Sequence, residues 1–238
     1  MEWGGGTRAA AVNALTLRLG LGGVTLAACL AAIAIETQGF RILTSAQQPA
    51  VRARDHPMFE LPLLAANGAT QSSALPAAGR LRIVEITYER CRSICAVQGS
   101  VLTQAFRALH HEVAAQRLHF VSLSVDALDC PAGVGRRVQR LSAGAAGWDG
   151  VCVRDEAALA LLTKRIGVVA IQDKLRDYRH TEGIFIVAAD GHVMSYQPSL
   201  KTQTLVLAIQ DALQTAQAKQ GAAEPLAKRA PFVERYRG

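Results

Sequence analysis

Two cysteines four residues apart, Cys91 and Cys95, follow an unbroken β-prone run from Leu81 to Tyr88. A histidine, His180, stands far downstream, just before a second such run, Gly183 to Val187. Residues at i and i+4 share one face of a helix, so the spacing predicts two sulfurs aimed at one ion from a first helical turn. A strand-to-helix junction also acidifies thiols, because the helix N-terminus favours the thiolate. Arg90 and Arg92 flank Cys91 and push in the same direction. Two thiolates and one imidazole form a donor set suited to a soft ion such as Cu(I). The same two thiols could instead cycle through a disulfide.

These side chains need a scaffold, and the hydrophobic pattern supplies its outline. Leu81 to Tyr88 and Leu118 to Val125 read as buried strands. Between them Leu102, Ala105, Phe106, Leu109 and Val113 recur at helical spacing, and Asp155 to Ile166 reads as a second helix. Met58 to Leu64 is a short, edge-like strand, since Pro62 donates nothing to a ladder. Gly183 to Ala189 and His192 to Gln197 flank Asp190-Gly191, a strong hairpin signal. A last helix carries Leu205, Ala208, Ile209, Ala212 and Leu213 on one face. The order βαβ, helix, hairpin, helix describes a thioredoxin-like α/β fold over residues 57–215.

The ends of the chain read differently. From Leu19 to Ile35 no residue is charged, while Arg8 and Arg18 precede the run. The reading is a cytoplasmic N-terminus (1–18), a transmembrane anchor (19–35) and a polar linker (36–56), with the domain on the periplasmic side of a bacterial inner membrane. A cleaved signal peptide is one competitor. A lipoprotein is another, because Leu26-Ala27-Ala28-Cys29 resembles a lipobox with Cys29 as the lipidated residue. Residues 216–238 are small, polar and basic, and are expected to be a disordered tail. The net charge of +7 does not argue for nucleic acid, because the basic residues are scattered, aromatics make up 5%, and no binding motif is present.

The stretch Tyr88-Glu89-Arg90-Cys91-Arg92-Ser93-Ile94-Cys95 resembles the metal-binding motif of the SCO/SenC copper chaperones. His180-Thr181 ahead of a hairpin turning at Asp190-Gly191 resembles that family's distal histidine. Ser124-Val125-Asp126 and Phe59-Glu60-Leu61 match further segments, so the likeness spans roughly Met58 to Leu213. The resemblance implies copper held by Cys91, Cys95 and His180, and delivery to subunit II of cytochrome c oxidase. Without it, His180 in its polar run (Asp177, Tyr178, Arg179) reads as a solvated loop histidine. Two other functions use the same thiols: a membrane-anchored thiol-disulfide oxidoreductase and a redox or copper sensor. The Cys-x-x-x-Cys spacing and the lack of a Trp before Cys91 speak against a conventional oxidoreductase.

Departures from the family pattern are expected to matter. The family carries Pro after each cysteine, where this chain has Arg92 and Ala96. A loop without those rings should be looser and its Cys91 reactive. Cys130 and Cys152 lie outside the pattern and read as a structural pair or inert core. His110, His111 and His119 read as surface or structural residues, Met194 as core, and Asp126 as a strand-end residue with a minor supporting role.

Overall fold

The computed structural model describes residues 22–35, 62–65, 70–71, 80–91, 94–174, 177–198 and 201–227. The chain divides into two compact units, 1–47 and 48–238. In the first, residues 22–35 form helix α1, which is exposed along nearly its whole length and carries the unpaired Cys29. None of the described helices is long and apolar enough to cross a membrane. Of the anchor expected over 19–35, residues 22–35 are helical. Residues 19–21, the expected cytoplasmic segment and the linker lie outside the described residues.

The second unit is built on strands β1 (Leu63–Ala65), β2 (Thr70–Gln71), β3 (Leu81–Thr87), β4 (Leu118–Ser124), β5 (Trp148–Val153), β6 (Ala170–Gln172), β7 (Tyr178–His180), β8 (Ile184–Val187) and β9 (Val193–Gln197). Its helices are α2 (Ile94–Ala108), α3 (His110–Ala114), α4 (Ala132–Ser142), α5 (Glu156–Ile166) and α6 (Thr202–Ala227), with one 3₁₀ turn at Ala127–Asp129. Among the described residues, seven strands form one sheet in the order β2-β1-β5-β4-β3-β8-β9, and β6 pairs with β7 apart from it. β3, β4 and β5 run parallel, while β8 and β1 join antiparallel on either side.

Both β3 and β4 are buried at every position, the mark of a strand covered on two faces. Alternation then sorts their side chains. Val84, Ile86, Val121 and Leu123 pack with Ala158, Leu162 and Ile166 of α5. Ile83, Leu118 and Phe120 pack on the other face, with Leu102, Ala105 and Phe106 of α2 and Leu205 and Ile209 of α6. The thioredoxin-like expectation holds for this mixed α/β layering.

Some elements differ from the sequence reading. β1 is an inner strand, paired with both β2 and β5; the carbonyl of Pro62, just before it, accepts from the Arg154 amide. The last helix continues to Ala227. The disordered tail expected from residue 216 is therefore corrected over 216–227, where Ala and Gln, both good helix formers, recur. Residues 228–238 lie outside the described residues. Helix α4, strand β5 and the β6–β7 ribbon were not anticipated.

Candidate metal centre

β3 ends at Thr87 and α2 begins at Ile94, so the cysteines stand on different structures. Cys95 lies in the first turn of α2 and is fully buried, whereas Cys91 precedes the helix in the connecting turn and is half-buried. The expectation that both share a helical face is corrected: the helix starts too late to include Cys91. A turn brings Cys91 back, its amide donating to the Tyr88 carbonyl at 3.2 Å. The two Cα atoms are 5.8 Å apart and the sulfurs are joined as a disulfide.

His180 closes the group. It ends β7, paired with Ala170 of β6, rather than lying in a loop. Its Nε2 is 3.5 Å from Cys95 Sγ, and one ligand atom each from Cys91, Cys95 and His180 lie within 4.8 Å of one another. Nδ1 sits 3.0 Å from the Thr181 carbonyl oxygen. A carbonyl only accepts, so Nδ1 carries the proton and the Nε2 lone pair faces the sulfurs, the tautomer a metal ligand needs. Tyr88 meets the His180 ring edge-to-face at 5.6 Å and Tyr178 at 5.4 Å, which limits the imidazole's rotation. The donor set is therefore chemically fit for a soft ion once the disulfide is reduced.

The turn before Cys91 is tethered without prolines. The Glu89 amide donates to Asp129 Oδ2 at 2.7 Å, and the Glu89 carboxylate takes Arg136 of α4. Arg90 pairs with Asp126 at 3.8 Å, so part of its charge is engaged there rather than at Cys91. Asp126 also caps the 3₁₀ turn through the Leu128 amide at 2.9 Å. The turn ahead of Cys91 is thus held by three named contacts; Arg92 lies outside the described residues, and Ala96 is exposed on α2.

Burial pushes the Asp129 carboxyl pKa up, partly offset by its hydrogen bonds from Ser124 and the Glu89 amide. A carboxyl raised in the folded state binds its proton more tightly there than in the unfolded chain. Its contribution is most favourable at low pH and declines as pH rises through the folded value. Asp129→Asn keeps the acceptor oxygen without the charge. The variant should be at least as stable as wild type at pH 7, with a flatter stability profile between pH 4 and 7, as chemical denaturation at several pH values will show.

Cys130 and Cys152 form a second disulfide, 22 residues apart, so the structural-pair reading holds. It fixes the residue after Asp129 to β5. By the loop-entropy relation the bridge contributes about 3 kcal/mol. Replacing both cysteines with alanine should lower the urea unfolding free energy by about that amount.

The remaining singled-out residues stand away from the donors. His110 and His111 are exposed, Met194 packs on the α2–α6 cluster, and His119 is buried with Nε2 2.9 Å from Asp149. That hydrogen bond is the main reason the Asp149 carboxyl is held below its usual range. Sequence reasoning missed a polar group beneath the site. Glu85 of β3, fully buried, takes both its carboxylate oxygens to Arg137 of α4 at 2.9 and 2.8 Å. Ser122 donates to the same carboxylate at 2.5 Å, and Arg137 also reaches the Cys95 carbonyl at 3.0 Å. The one available signal was a lone Glu inside an apolar strand, which demands a buried partner.

Comparison with known proteins follows the geometry. ScoI of Bradyrhizobium japonicum, solved with copper bound, superposes with TM-score 0.50 at 23% identity, over 63% of this chain and 96% of that one. A SCO1/SenC family lipoprotein from Bacillus anthracis gives TM-score 0.54 at 15% identity, over 66% and 90%. BsSco, a member of the Sco family of cytochrome c oxidase assembly proteins in which a disulfide switch was identified, gives 0.54 at 16%, over 68% and 91%. No curated protein matches the sequence. The SCO1/SenC profile matches residues 51–214, which spans the sheet, both disulfides and His180, and the chain belongs to the SCO1/SenC family.

Proposed function

We propose that the protein is a copper chaperone that holds Cu(I) on Cys91, Cys95 and His180 and passes it to the copper-bearing subunit II of cytochrome c oxidase. The observation that carries the reading is the convergence of two sulfurs and a correctly protonated imidazole within 4.8 Å. Copper is cargo, so loading begins with reduction of the Cys91–Cys95 disulfide. An external dithiol supplies two electrons and two protons and leaves as its own disulfide. The two thiols then lose their protons as the ion binds. A three-donor, partly open site favours release by ligand exchange. Copper stoichiometry of the reduced protein tests this: one Cu(I) per chain is expected, with a large loss of affinity in His180→Ala.

A second reading rests on the disulfide itself and on the half-buried Cys91. In it the pair reduces a partner's cysteines before they are metallated, and no metal is carried. The same titration separates the two, because an oxidoreductase working through sulfur alone barely notices His180→Ala.

We place the domain outside the inner membrane, held by the uncharged run 19–35, with lipidation at Cys29 as the competing attachment. Protease added to intact spheroplasts should degrade the domain, and full protection sinks this topology. Palmitate labelling that disappears in Cys29→Ala marks the lipoprotein form.

A further inference from the structure

The two arms of the metal centre come from distant parts of the chain, the α2 turn and the end of β7, and one buried amide joins them. Gln98 is fully buried and lies three residues after Cys95, on the same side of α2. Its Nε2 donates to Glu85 Oε2 at 3.3 Å and to the Ile86 carbonyl at 3.4 Å. Its Oε1 accepts the Gly183 amide at 3.4 Å, across 85 residues. Gly183 follows His180 by three residues. Its φ is +119°, and a Cβ there would fall 2.8 Å from the Gln197 carbonyl oxygen, so only glycine brings this amide to the side chain. Between His180 and Gly183, the Thr181 amide donates to the Val169 carbonyl at 2.7 Å and ties the arm to the residue just before β6.

We infer that Gln98 is a positioning residue of the metal centre, setting the separation between Cys95 Sγ and His180 Nε2. The inference deepens the copper reading and rests on it. Both Gln98 ends are used: the amide nitrogen anchors α2 to β3, and the amide oxygen pulls the His180 arm onto that frame. Without the oxygen, the buried Gly183 amide loses its acceptor, and between His180 and β8 the arm keeps the Tyr196 hydroxyl on the Glu182 carbonyl but loses its tie to α2.

The experiment is a competitive Cu(I) titration on four forms of the reduced full chain: wild type, Gln98→Leu, His180→Ala and the double variant. Gln98→Leu should weaken Cu(I) binding roughly tenfold, the factor one lost hydrogen bond is worth. In the His180→Ala background the same substitution should change affinity less than twofold, because Gln98 acts through that imidazole. A general loss of stability would weaken binding in both backgrounds alike, and that result overturns the inference. So does a Gln98→Leu chain with wild-type affinity. A wild-type chain that takes up no Cu(I) sinks the copper reading and this inference together. Should Gln98→Leu fail to fold, Gln98→Met has similar length with no amide and carries the same comparison.

Discussion

Replacing either Cys91 or Cys95 with serine should abolish stoichiometric Cu(I) binding at micromolar protein. Serine is nearly isosteric, but its oxygen is a hard donor and stays protonated at neutral pH, whereas a soft ion takes thiolate. One sulfur and the His180 nitrogen then remain, a poor cage. The effect should be near-complete for both variants although the residues differ in burial. Cys95 is fully enclosed and Cys91 half-exposed, yet each supplies one of only three donors. Equilibrium dialysis against a Cu(I) chelator measures the outcome, and near-native affinity in either single variant means the assignment of donors is wrong. Both variants also lose the Cys91–Cys95 disulfide. Its loop is only four residues, so folding stability should fall less than when the Cys130–Cys152 bridge is removed.

The largest stability effect is expected beneath the site. Arg137→Met should cost about 3–5 kcal/mol, because it leaves the Glu85 carboxylate fully buried without its counter-charge. For a domain of this size that is a fall of roughly 10 °C in Tm. The companion result decides the cause. Glu85→Gln combined with Arg137→Met leaves no unpaired charge and keeps one acceptor oxygen for Ser122, while Gln98 retains the Ile86 carbonyl, so most of the loss should return. If the double variant is as unstable as the single one, lost packing around Arg137 explains the effect and the charge does not. Thermal unfolding of the three variants beside wild type suffices.

What the sequence disclosed follows from what one dimension can encode. The runs at Leu81 and Leu118 are unbroken and apolar, and Asp190-Gly191 has its own turn chemistry, so β3, β4 and the β8–β9 hairpin were legible. Trp148 to Val153 was not, because Asp149 and Gly150 interrupt the pattern of a strand only six residues long. Helix α4 carries three arginines, and one of them, Arg137, turns inward to Glu85. That pairing spans 52 residues and leaves no local periodicity to detect. β7 has three residues, too few for alternation to show, so His180 could be placed only by resemblance. The three residues that the structure brings together were therefore readable and their supports were not. The cysteine spacing pointed to a pair that does meet, though a turn, not a helical face, brings Cys91 back to Cys95.

The unequal burial of the two sulfurs gives the centre a front and a back. A nucleophile attacking this disulfide would have to approach along the S–S axis, and only Cys91 offers a face to solvent, so Cys95 would be the leaving group. In the thiol-exchange reading, a mixed disulfide would form at Cys91 and Cys95 would resolve it from inside. In the proposed copper role the same order would apply: a partner's first ligand would displace Cys91, while the inner sulfur and the imidazole kept their hold until a second ligand arrived. On either reading, exchange at this centre would have one approach, from the side that exposes Cys91.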